Sequence, residues 1–171
     1  MSTTTPLPTV TERHRNWVFG WEREHGDGRF EFRETFRDFY DWESEDVILY
    51  DDFDPEHRVA RSPREYGAIW DVHFNHMRSV AHVIVDGPAV IEQGDLAASR
   101  LVFVARLEPL LGEVTGIRTT TSLVWRRTEG RWRIVREHNS TVVIPVHEAE
   151  EALGGPRGRE STVHVRERET S

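Results

Sequence analysis

The 171-residue chain contains no cysteine. That excludes disulfides, thiolate catalysis and cysteine-ligated zinc or iron–sulfur centres. No apolar run approaches the roughly 20 residues that cross a bilayer, so no membrane contact is expected. Basic blocks are missing too: 22 Lys and Arg stand against 30 Asp and Glu, for a formal net charge of -8. Nucleic acid is therefore not an expected partner, because a phosphate backbone is gripped by a concentrated basic face. GxGxxG, GxxxxGK[ST] and GxSxG are all absent, and none of the nine histidines forms HExxH. Neither a nucleotide cofactor nor a nucleophilic triad has support, and no cofactor or metal is expected. The opening MSTTTPLPTVTERHRNW lacks a charged start followed by an apolar region. A cytoplasmic location is the expectation.

What is present suffices for one domain with a substantial core: 37% hydrophobic and 10% aromatic residues. A small, mostly apolar molecule is a compatible ligand. Residues 1–8 are Ser/Thr/Pro-rich and read as a disordered start. Thr9 and Glu12 then form a capping-box pattern. Val10, His14, Trp17, Val18 and Trp21 follow along one face of an amphipathic helix. RFEFRETFRDFYDW carries Phe32, Phe36, Phe39 and Tyr40 at helical spacing and predicts a second, short helix. A strand is expected over 47–51. Ser62-Pro63-Arg64-Glu65 then opens a helix running to Met77 or Arg78. From Ser79 the period becomes two, predicting strands at 79–85, 97–107, 116–126 and 132–144, with a short one near Val90. Helices first and an antiparallel sheet afterwards make an α+β fold. The domain is placed at 9–146, with 147–171 as a flexible charged tail.

The chemistry centres on VILYDDFDP, residues 47–55. On a strand, successive side chains alternate, so one of Asp51 and Asp52 turns inward. An inward carboxylate among aromatics has a raised pKa and can serve as a general base. A solvent-exposed turn is the plainer reading. Alternation along WRIVREHNS puts Trp132, Ile134, Arg136 and His138 on one face, and Glu137 and Asn139 on the other. His138 on that mixed face, and His73 on the aromatic face of the Pro63 helix, are candidate proton donors. Each can equally be an ordinary packed histidine. Arg118 lies in a strand of hydroxyl and apolar residues, where burial would require an anionic partner.

GIRTTTSLVWRRTEGRWRIVREHNS resembles the closing hairpin of SnoaL-like proteins in the NTF2-like superfamily, through Arg118, Thr120, Gly130, Trp132, Ile134, His138 and Ser140. GDLAASRLVF and VILYDDFDP resemble earlier segments of the same pattern, so the likeness spans about residues 9–144. The resemblance implies a cone-shaped α+β barrel, with N-terminal helices packed on a curved antiparallel sheet around an apolar cavity, and a homodimer. It also implies a carbonyl cyclase or isomerase with Asp51 or Asp52 as base, or a non-catalytic binder. His73 and His138 are then the catalytic donors, and Trp17, Trp21, Tyr50, Trp70, Phe103, Arg118 and Trp132 the substrate pocket. The isomerase pattern has a tyrosine on the first helix, where this chain carries Trp17 and Trp21.

Overall fold

The computed structural model describes residues 6–154. Helix α1 (Val10–Gly20) begins at the expected capping box: the Glu12 N–H donates to the Thr9 hydroxyl, and the Glu12 carboxylate accepts the Thr9 N–H at 2.7 Å. Helix α2 (Phe32–Phe36) is shorter than its aromatic stripe, but the stripe persists. Phe32, Phe36 and Tyr40 are all fully buried. Tyr40 then bridges in parallel to Ile134. Strands β1 (Ile48–Asp51) and β2 (Val59–Ala60) precede helix α3 (Pro63–Phe74). The Ser62 hydroxyl caps α3 as expected, while the Glu65 carboxylate reaches one residue further back, to the Arg61 N–H.

Four long strands follow: β3 (Met77–Gln93), β4 (Leu96–Pro109), β5 (Thr115–Thr128) and β6 (Arg131–Ile144). The break expected between the strand at 79–85 and the short one near Val90 is instead a pair of register shifts around Asp86-Gly87-Pro88, within one continuous β3. Gly87 permits it: φ is +85°, and a Cβ there would stand 2.7 Å from the Arg100 carbonyl oxygen. The sheet order is β2-β1-β6-β5-β4-β3, and β1 runs parallel to β6 while all other pairs are antiparallel. Helices α1 to α3 cover the inner face, where Trp17, Trp125, Tyr40 and Tyr66 are among the largest fully buried side chains.

Two features depart from the sequence reading. Helix α4 (Val146–Gly154) occupies the start of what was expected to be a flexible tail. Its Ala149 is fully buried in a cluster with Val83 and Val104. The rest of that tail lies outside the described residues, as do residues 1–5 of the expected disordered start. The second departure is a β-bulge. Val124 pairs with Arg136 and Trp125 with Ile134, leaving Val135 as an extra residue in β6. Trp132 and Ile134 face inward before it, and Glu137 and Asn139 face inward after it.

Candidate functional site

A cavity of about 100 Å³ lies between the inner sheet face, α1 and α3. Its apolar walls include Trp17, Trp21, Trp70, Phe74, Phe103 and Leu107, and its polar lining is Asp51, His73, His82, Thr119, Asn139 and Thr141. Such a volume is well below the roughly 300 Å³ at which drug-sized sites begin. It suits a ligand of about one ring, since a 150 Å³ apolar cavity engineered in another protein takes benzene.

The three aspartates of VILYDDFDP have three different fates. Asp51 faces the cavity, where its Oδ1 accepts the Phe53 N–H at 2.8 Å and its Oδ2 accepts the Asn139 amide at 3.0 Å. The parallel register places Asp51 beside Asn139, which is why these side chains meet. Asp51 is half-buried, and it lines the aromatic cavity. Burial accordingly lifts its pKa from 3.8 to about 6, against the two hydrogen bonds, with Asp52 and Asp54 adding repulsion. Asp52 turns the other way and accepts the Thr141 N–H at 2.8 Å, extending the β1–β6 ladder. Asp54 is buried and gripped by the Arg58 guanidinium through two contacts of 2.9 Å, which holds it well below the usual carboxylate range.

Two imidazoles share the cavity with Asp51. His73 Nε2 stands 3.6 Å from Asp54 Oδ1, beyond hydrogen-bond reach, and has no hydrogen-bond partner among the described residues. His82, on β3, is nearly fully buried. Its backbone N–H donates to Glu22 Oε1 at 2.6 Å, and its Nδ1 lies 3.2 Å from the same oxygen. This double contact fixes the ring's orientation and assigns the Nδ1 proton.

Behind Asp51 sits a closed polar cluster. Glu137 accepts from the Tyr40 and Tyr66 hydroxyls at 2.6 Å each, and from the Asn139 amide at 2.8 Å. The Trp17 indole N–H donates to the Tyr40 oxygen, and the Thr121 hydroxyl to Asn139 Oδ1. Burial raises Glu137 to about 7, opposed by its hydrogen bonds and aided by the charge of Asp51. Both tyrosines are pushed well above their ordinary range, first by burial and then by the Glu137 charge.

Of the expected site residues, Asp51, His73, Trp17, Trp21, Trp70 and Phe103 line the cavity. The others lie elsewhere. His138 and Tyr50 pack together on the outer sheet face, rings 5.0 Å apart, because the Val135 bulge reverses the phase of β6. Arg118 is exposed on that face as well, opposite in phase to Thr119. Trp132 is a core residue under the Arg127 guanidinium, before the bulge. Asp52 belongs to the backbone ladder. Sequence reasoning missed His82, Glu137 and Asn139. Only the bulge brings the last two inward, and nothing in WRIVREHNS announces it.

The sequence matches no protein-family model and no curated protein. Solved structures do match. An NTF2-like superfamily protein from Salmonella enterica serovar Typhimurium is similar over 77% of this chain and 87% of its own, at 13% identity and a TM-score of 0.63. The fold is NTF2-like. The Kfla4162 protein from Kribbella flavida matches this NTF2-like chain over 81% of its length and 93% of its own, at 14% identity and a TM-score of 0.62. A candidate scytalone dehydratase from Novosphingobium aromaticivorans matches over 67% and 74%, at 15% identity and 0.52. At such identities the likeness is one of fold, and fold alone does not decide the chemistry. Among the described residues, no helix is long and apolar enough to cross a membrane.

Proposed function

We propose that this NTF2-like chain binds a small, mostly apolar carbonyl compound, and that Asp51 removes a proton from the carbon beside the carbonyl. The observation that carries the reading is the Asp51 carboxylate, fixed by two donors at the wall of an aromatic cavity and lifted to about 6. A carboxylate with that affinity is mostly ionised at neutral pH, yet is a stronger base than an exposed one. The C–H electron pair moves into the enolate as the proton passes to Asp51. His73 is the candidate donor to the enolate oxygen; His82, whose Nδ1 proton is held by Glu22, donates from Nε2 only as the imidazolium. Return of the proton to another carbon is an isomerisation. Attack of the enolate on a second carbonyl of the same molecule is a cyclisation. The SnoaL-like resemblance of the closing hairpin supports this class, and the cavity volume favours a compact substrate of about one ring.

The same volume favours a second reading, in which the cone binds a ligand or a partner without catalysis. Deuterium incorporation next to the carbonyl of small cyclic ketones in heavy water, followed by proton NMR, separates the two. The catalytic reading expects exchange that rises with pH through about 6 and is lost in Asp51→Asn. Exchange of equal rate in Asp51→Asn overturns it, and no exchange with any ketone favours the non-catalytic protein. The expected homodimer is part of this proposal, with the outer sheet face, where Val142 is exposed, as the contact. Light scattering at twice the 19.9 kDa chain mass is the expected result.

A further inference from the structure

Glu137 is the most unusual charge in the molecule. It is 3% exposed and lies outside the lining of the aromatic cavity, so it does not face a ligand bound there. Among the described residues no Arg or His pairs with it, although an isolated buried carboxylate is costly. Its partners are the two tyrosine hydroxyls and one amide. A plug of mutually satisfied polar groups would explain the tyrosines. It does not explain Asn139, which lies in the cavity lining and divides its amide nitrogen between Glu137 at 2.8 Å and Asp51 at 3.0 Å. The two carboxylates can only accept, so they turn the amide nitrogen towards themselves and leave Oδ1 to the Thr121 hydroxyl. The register Leu49 with Glu137 and Asp51 with Asn139 fixes the two acids on adjacent strands, separated by one amide nitrogen.

We infer that Glu137 is a positioning residue for Asp51: it anchors the Asn139 amide, and through that amide the two carboxylates behave as one coupled acid. The inference rests on the reading of Asp51 as the base and deepens it. Glu137 holds Asn139 from behind, and Asn139 holds the Asp51 carboxylate towards the cavity. The repulsion that Asp51 exerts on Glu137 is necessarily mutual. When Asp51 takes a proton from a substrate, the repulsion is relieved at that moment. Glu137 thereby strengthens a base that serves a ligand it never meets. The other groups around Asp51 are Asp52 and Asp54 in its own loop, Asp54 being neutralised by Arg58, together with Tyr40, Tyr66, His73 and His82. Of the acids, only Glu137 shares a hydrogen-bonding nitrogen with it.

The test needs no substrate. Carbon-13 shifts of the Asp and Glu carboxyl carbons in the full chain are followed against pH. In the wild type, the Asp51 and Glu137 carbons are each expected to bend at both midpoints of the pair. In Glu137→Gln, Asp51 is expected to titrate in one step, with about tenfold weaker proton binding, one pKa unit. By reciprocity, Asp51→Asn weakens proton binding at Glu137 by the same factor. An unmoved Asp51 midpoint in a folded Glu137→Gln overturns the inference. Should that variant not fold, single independent steps in the wild type overturn it alone. If coupling is found but ketone exchange is not, the base reading falls while the pairing stands. The reverse pattern sinks the pairing and spares the base.

Discussion

The two faces of β6 differ more than any two layers of the molecule, although they alternate residue by residue. Outward, Arg136 bonds Asp46, and His138 and Ser140 are exposed. Inward, Glu137 and Asn139 are sealed under α1 and α3, and Thr141 looks into the cavity. One extra residue, Val135, decides which set goes where. A side chain's chemistry here is set by strand phase before it is set by residue type. The acid that would be an ordinary exposed glutamate on one face is lifted to about 7 on the other.

Glu137→Ala attacks that contrast most severely, because it strips two buried tyrosine hydroxyls of their acceptor. A loss of about 3 kcal/mol in denaturant unfolding is expected. A pH-dependent effect of similar size belongs to Asp51→Asn. Because the folded-state pKa of Asp51 is raised, its contribution is fully present below pH 3.8 and is lost as pH rises through about 6. The variant should therefore gain on the wild type between pH 4 and 6, by up to about 1.4 kcal/mol per pH unit, and level off above. His14 acts in the opposite sense. Fully buried and lowered to about 3 by burial, it costs stability as pH falls below 6.5, but it is common to both proteins and cancels. Smallest of all, His138→Ala should stay within about 0.5 kcal/mol. A larger change would mean that the outer face is covered in solution.

Helix starts were legible because capping is local: Thr9 with Glu12, and Ser62 with Glu65, need only neighbours three residues apart. The aromatic stripe Phe32, Phe36, Tyr40 was legible too, even though α2 ends before its last member. The choice between Asp51 and Asp52 was not, because it depends on a parallel pairing with a strand some 88 residues away. Helix α4 escaped notice because its apolar stripe is mostly alanine amid glutamates. It finds its partners, Val83 and Val104, only once the sheet exists. Glu137 was the hardest to read, since a buried acid and an exposed one look the same in a sequence. Tyr40 was visible as a member of the aromatic stripe, but not as a donor.

Half of the six tryptophans stand in the cavity wall: Trp17, Trp21 and Trp70. The other three are fixed elsewhere, with Trp42 bonded to the Arg37 carbonyl, Trp125 to Ser99 and Trp132 beneath Arg127. The walls are therefore chromophores, and the protein carries its own optical gauge of occupancy. A ring entering the cavity changes the surroundings of three indoles at once, while three others give a steady reference emission. The packing that keeps the cavity small also makes its filling visible in ultraviolet light, without any added label.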